Sequence, residues 1–292
     1  MARGLWDKSR ELIDWARGIL EREWPMTIRQ IFYRLVSMGL IKNTKADYQR
    51  VIRLMTIARN DGRIPFNWIV DRSRPVYDPP VFKDPRAYAE AVKHSYRRDY
   101  WTMQPLYGEL WCEKDTISGS IAGVTDELGV TVRVGRGFNS TTRAREIAAV
   151  LANTKKPKII FYLGDHDPSG RNAEEEGLSR VLMHYRFITG NSQASDIKLR
   201  RLAIHKGDIK KFNLPPLRVK DTDSRTPGFI RKYGHDCVEL DALPPNELRK
   251  RIRVAITALL DEAAWNRAIA AEKVELASII DTVSNWPAFH SA

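Results

Sequence analysis

Apolar residues recur with helical spacing over the first sixty positions. Leu5, Leu12, Ile13, Ala16, Ile19 and Leu20 share one face of a helix over 5–22, which Pro25 interrupts. Thr27 is placed to cap a second helix that runs to about Met38, with Gly39 as its stop. Its buried stripe is Ile28, Ile31, Phe32, Leu35 and Val36, while Arg29, Tyr33 and Ser37 fall on another face at spacings of four. A third helix over about 45–60 sets Arg50, Arg53 and Arg59 among Val51, Ile52, Met55 and Ile57, and Asp61-Gly62 closes it. Residues 64–70 read as extended.

Beyond this point the pattern changes. Residues 72–85 are rich in proline and charge and read as a linker or extended crossing. A basic helix follows over 88–100. Short apolar runs then alternate with amphipathic ones: strand 110–113, helix 117–128, strand 130–134, helix 143–151, strand 159–163, helix 171–185 and strand 201–205. Such alternation predicts a parallel sheet covered on both faces. Residues 207–228 read as a long loop, and two helices, about 245–260 and 263–283, close the sequence. The fold class is thus α/β, with a mainly α, winged helix-turn-helix-like segment (1–85), a connecting helix (86–108), an α/β unit (109–244) and C-terminal helices (245–292). For the first segment a plain helical bundle with solvated arginines is the competing reading.

Composition sharpens the picture. The net charge is +12 over 292 residues, and residues 1–100 carry 20 Lys and Arg against 12 Asp and Glu, so that third alone supplies +8. A basic N-terminal module suits a polyanionic partner such as nucleic acid. Cys112 and Cys237 are the only cysteines, too few for a disulfide framework or a zinc site and in keeping with a reducing cytosol. No run reaches the ~18 apolar residues of a membrane helix, and the first residues lack the apolar centre of a signal peptide. A cytoplasmic, nucleoid-associated location is the expectation, with no membrane partner.

The chemistry concentrates in Lys158 to Gly170, KIIFYLGDHDPSG. A buried strand ends at Gly164, and Asp165 and Asp167 follow two apart, on one side if the chain stays extended. Carboxylates held together repel unless a cation or proton lies between them, and the carboxyl edge of a parallel sheet is where such folds place their sites. Glu113 ends another strand, so its carboxylate is a third oxygen donor for a hard divalent ion, Mg2+ or Mn2+. Lys114 is positioned to contact phosphate or to pair with Asp115. A solvated Asp-x-Asp turn is the alternative. His166 points away from the two Asp side chains in a strand and reads as structural, and Glu174, Glu175 and Glu176 read as a solvated helix face.

Glu at one strand end, then Asp-x-Asp-Pro-x-Gly at a later one, resembles the Toprim domain of primases, type II topoisomerases and nucleases. More narrowly, the chain resembles the topoisomerase VI A subunit and its meiotic double-strand-break relative, in a reduced, mini-A-like form of viral or bacterial kind. Three further stretches are similar: Arg29-Gln30-Ile31-Phe32-Tyr33, Gly135-Arg136-Gly137-Phe138-Asn139 with Thr142-Arg143, and Val238-Glu239-Leu240-Asp241-Ala242-Leu243. Asn139 replaces the family's proline, and Gly135-x-Gly137 is no phosphate-binding loop, so any ATPase would be a separate chain.

The resemblance implies that Tyr33 attacks duplex DNA and becomes joined to a 5′ phosphate, with Arg29 holding the phosphate and favouring the ionised phenol. It implies metal on Glu113, Asp165 and Asp167, DNA contacts from Lys114, Arg136, Arg143, Arg50 and Arg53, and a homodimer in which Tyr of one subunit serves its partner's metal site. Two other readings stay open: a metal-dependent nuclease using water, and an inactive DNA-binding subunit.

Overall fold

The computed structural model describes residues 2–70, 79–135, 140–191, 194–219 and 223–284. Three helices open the chain: α1 (Ala2–Glu23), α2 (Ile28–Ser37) and α3 (Lys45–Asn60). Thr27 and Gln30 form the reciprocal box that starts α2: the Gln30 N–H donates to the Thr27 hydroxyl and the Thr27 N–H donates to Gln30 Oε1. The Asp47 N–H donates to Thr44 at the start of α3 in the same way.

The expected strand over 64–70 is not formed. A 3-10 turn occupies Phe66–Trp68, and only Ile69 bridges, in parallel, to Met26. Pro65 brings no N–H to a ladder, and the Trp68 N–H closes on its carbonyl instead. Residues 72–78, half of the expected linker, lie outside the described residues. The basic helix begins earlier and ends earlier than expected, as α4 (Pro85–Ser95), because Asp84 caps it at Ala87 N–H.

The α/β unit contains a four-stranded parallel sheet. Its strands are β1 (Tyr107–Cys112), β2 (Thr131–Val134), β3 (Lys158–Leu163) and β4 (Ile197–Ala203), in the order β2-β1-β3-β4. Helices α5 (Asp115–Glu127), α6 (Thr141–Asn153) and α7 (Pro168–Thr189) connect them. Successive strand side chains face opposite ways, and this sorts the core. Leu110, Cys112, Phe161 and Leu163 enter one apolar cluster, which runs on into α1, α2, α3, α5 and the later helix α10 (Pro245–Thr257). Trp111, Ile160 and Tyr162 enter the other, with α6 and α7. The N-terminal helices therefore share a continuous core with one face of the sheet.

On the α6 side, Glu109 is fully buried and saturated. It takes a bidentate Arg133 guanidinium at 2.7 and 2.7 Å, the Tyr107 hydroxyl at 2.8 Å and the Trp111 indole N–H at 2.9 Å.

The expected loop over 207–228 holds structure. It contains nearly all of α8 (Lys206–Lys211), β5 (Leu217–Arg218) and the start of α9 (Thr226–Tyr233), and β5 pairs antiparallel with β6 (Asp236–Cys237). Short polar elements of this kind carry too little apolar periodicity to be read from sequence. Helix α11 (Glu262–Ser284) packs on α4. Tyr96 and Tyr100 donate to its Glu275 and Glu272 at 2.6 and 2.7 Å. No helix among the described residues is long and apolar enough to cross a membrane.

Candidate functional site

Strands β1 and β3 are neighbours, so their carboxyl ends lie side by side. The pairing continues past both: the Glu113 N–H donates to Leu163 O at 2.9 Å and the Gly164 N–H donates to Ala203 O at 2.9 Å. This brings Glu113 against the Asp165 loop although 52 positions separate them. Glu113 Oε2 accepts the Asp165 backbone N–H at 3.0 Å. Two glycines make the approach possible. A Cβ on Gly164 or on Gly170 would stand 2.9 Å from Glu113 Oε2, and one on Gly170 would also stand 2.8 Å from Asp165 O. Gly170→Ala is expected to cost about 1–3 kcal/mol by overpacking and to displace the Glu113 carboxylate. Chemical denaturation, read beside any metal-dependent activity, checks this; a variant as stable and active as its parent would refute the assignment.

Asp165 Oδ1 accepts the Leu240 N–H at 2.7 Å and lies 3.2 Å from Lys114 Nζ. Asp167 Oδ1 caps α7 through the Gly170 N–H at 2.6 Å. Among the described residues no group of three or more His, Cys, Asp or Glu side chains is already disposed to hold an ion. The donor set still suits a hard cation. It is all oxygen, and Glu113 Oε1, Asp165 Oδ2 and Asp167 Oδ2 have no hydrogen bond from the described residues.

The electrostatics agree with crowded carboxylates. Burial raises Glu113, the Asp165 N–H opposes that, and Asp167 adds to it. Asp165 is pushed up to about 7, chiefly by burial, with Lys114 opposing and Glu113 adding. An unfolded Asp titrates near 3.9, so the metal-free fold keeps a proton that the unfolded chain releases. Stability from this group is full below about pH 4 and lost as pH rises through about 7. Melting temperatures in chelator are expected to fall across that window and to fall less in Asp165→Asn. An unchanged slope in the variant would contradict the shift.

A stretch of sequence quoted above only for its resemblance completes the site. His166 and Val238 exchange backbone hydrogen bonds at 2.8 and 3.0 Å, which stitches 238–241 to the Asp165 loop. Glu239 and Asp241 then face Lys114, whose ammonium lies 2.9 and 2.8 Å from them. Lys114 thus pairs with Asp165, Glu239 and Asp241 and not with Asp115, the pairing the sequence offered as the alternative to a phosphate contact. Burial alone would lower its pKa, but Asp241, Asp165 and Glu239 outweigh that and raise it. Arg29 forks onto Glu239 at 2.7 and 2.8 Å, linking α2 to the same network. Burial would raise Glu239, but Lys114 and Arg29 hold it below the usual range.

Tyr33 departs from expectation. It is 3% exposed and belongs to the core, edge-on to Phe32. Burial and Glu239 raise its pKa, and Arg29 and Lys114 only partly offset them. Arg29 therefore does not bring the phenol below its ordinary range, because its charge is already shared with Glu239. A residue the sequence did not single out, Tyr48, lines the cleft instead, with the Arg29 guanidinium 5.6 Å from its ring centre.

The cleft itself, of about 890 Å3, lies between α2–α3 and the sheet edge, with Arg29, Tyr48, Arg59, Lys114 and the acids on its walls. Arg59 lines it; Arg50 and Arg53 do not, and Arg50 reaches back to Lys8 O at 3.5 Å. Arg143 is exposed and pairs with Glu146 at 2.8 Å. Arg136 lies outside the described residues. His166 is fully buried against Phe229 and Tyr233, and Arg171 bonds its Nδ1 at 3.0 Å, as a structural residue would be. Glu174 is not a solvated acid as expected: it pairs with Arg201, whose Nη1 also braces the carbonyls of Gly164 and Asp165 at 2.8 and 3.3 Å. Neither a known protein family nor a curated protein matches this sequence.

Proposed function

We propose that the protein is a metal-dependent, DNA-breaking transesterase of the topoisomerase VI A type, with a Toprim-like α/β unit and an N-terminal winged-helix-like DNA-binding segment. The observation that carries the reading is the meeting of Glu113 with the Asp165–Asp167 loop at the wall of a cleft that α2, the helix of Tyr33 and Arg29, also borders. Glu113, Asp165 and Asp167 would hold the ion, which when bound supplies charge stabilisation at the phosphate.

In this reading duplex DNA enters the basic side of the cleft past Arg59 and Tyr48. Arg29 transfers from Glu239 to the scissile phosphate, and Lys114 remains to compensate Glu239. Tyr33 Oη attacks phosphorus and gives up its proton. The new bond joins Tyr33 to the 5′ phosphate, and the 3′ oxygen leaves and takes up a proton. A homodimer cutting both strands, and a separate ATPase chain, belong to the same reading.

A second reading, hydrolysis by water at the same acids, is favoured by the burial of Tyr33 and the rise in its pKa. Supercoiled plasmid with Mg2+ or Mn2+, quenched with detergent and digested with protease, separates the two. Protein-linked ends lost in Tyr33→Phe support the transesterase. Free ends made equally by Tyr33→Phe support the nuclease. Salt-sensitive binding with no cleavage in either metal leaves only a DNA-binding subunit.

A further inference from the structure

The inner half of the cleft holds charge that the proposed metal set does not use. Beside Glu113 and Asp165, the carboxylates of Glu239 and Asp241 line it together with Lys114 and Arg29. Lys114 Nζ lies 3.2 Å from Asp165 Oδ1, 2.9 Å from Glu239 Oε2 and 2.8 Å from Asp241 Oδ2. Three carboxylate oxygens from three side chains therefore converge on one ammonium. Asp241 is fully buried yet lines the cleft, and its Oδ1 has no hydrogen-bond partner among the described residues. A buried carboxylate oxygen with no donor is costly, so this pocket depends on the positive charge that Lys114 brings to it.

We propose that Lys114 is the resident second cation of this site: its ammonium holds the Asp165–Glu239–Asp241 pocket, so that the cleft takes one divalent ion, on the Glu113–Asp167 side, and not two. This rests on the metal reading above and deepens it. Asp165 is the hinge of the arrangement. Its Oδ1 is committed to Lys114 and Leu240 N–H, and its Oδ2 carries no such bond. An ammonium is a compact point charge able to stand in such a position. Lys114 also ties the metal side to Arg29 through Glu239, and is a positioning residue for both.

Metal counting tests this without any activity. Purified protein, stripped with chelator, is titrated with MnCl2 in a calorimeter, and bound Mn is counted after desalting. One ion per chain is expected for the parent. Lys114→Ala vacates the inner pocket and is expected to bind two, with a larger Mn2+-induced rise in melting temperature. Lys114→Arg, which keeps the charge should the alanine variant fail to fold, is expected to bind one. Two ions bound by the parent, or by Lys114→Arg, would overturn the proposal while leaving the metal reading intact. A Lys114→Ala chain that folds and still binds one would also overturn it. A parent chain that binds none would remove the metal reading and this inference with it.

Discussion

Under the proposed function, Asp165→Asn is expected to end DNA cleavage, with a loss on the order of 10³-fold or more. This carboxylate stands at the centre of the site. Its backbone N–H holds Glu113, its Oδ1 is shared by Lys114 and the Leu240 N–H, and it is more than nine-tenths buried. The amide keeps the shape but removes the charge that both an ion and Lys114 require. Binding to duplex DNA should survive, because the basic groups of the cleft are untouched. Cleavage of supercoiled plasmid measured beside salt-dependent binding checks both halves. Undiminished cutting would rule out the acidic set as the reacting centre. Loss of binding together with cutting would point to a folding defect, which circular dichroism would reveal.

Arg133→Ala is expected to have the largest effect on stability, about 3–5 kcal/mol, because it strands the buried Glu109 charge. Glu109 is fully enclosed on the α6 side of β1, and Arg133, from β2, supplies two of its four hydrogen bonds. The Tyr107 hydroxyl and the Trp111 indole cannot neutralise a charge. Removing both partners, as Glu109→Gln with Arg133→Met, should cost much less than Arg133→Ala alone. Urea midpoints of the three proteins decide this. A single variant no less stable than the double one would show that the pair contributes nothing of this kind. The effect belongs to the sheet's architecture: β2 is short and half-exposed, and this ion pair ties it to β1 where apolar burial is thin.

The sheet was legible in the sequence where strands are buried on both faces. Runs such as Leu110-Trp111-Cys112 and Ile160-Phe161-Tyr162-Leu163 are apolar throughout because each alternate residue meets a different core. The meeting of Glu113 with Asp165 also followed from pattern, since two strand ends of one parallel sheet share an edge. The rest depended on contacts that no local period records. Glu239 and Asp241 reach the site through a backbone bridge between His166 and Val238, 72 positions apart in sequence and invisible to helical or strand spacing. Lys114 finds three carboxylates, two of them from that late segment, so its immediate neighbour Asp115 was a poor guide. Tyr33 was placed on a polar face by spacing from Arg29, yet α2 is covered on more than its apolar stripe: Gln30 and Tyr33 are both buried. A short helix packed against α1, α3 and a 3-10 turn at Leu240–Ala242 has little solvent-facing surface, and helical periodicity alone does not reveal that.

The ionic chain Arg29–Glu239–Lys114–Asp165 gives the site its internal logic. It runs from the helix of Tyr33 to the acidic edge of the sheet within one cleft. Any polyanion that draws Arg29 away leaves Glu239 to Lys114, and so changes the charge beside Asp165. The Arg29 side and the Asp165 side of the cleft are in this way electrically joined.

A crystal grown with MnCl2, with data collected at the manganese absorption edge, tests the central claim most directly. The expected result is an anomalous peak at the carboxyl edge of β1 and β3, with oxygens of Glu113, Asp165 and Asp167 in its coordination shell. Strong manganese density elsewhere, with those three side chains left in the hydrogen bonds to Asp165 N–H, Leu240 N–H and Gly170 N–H, would contradict it.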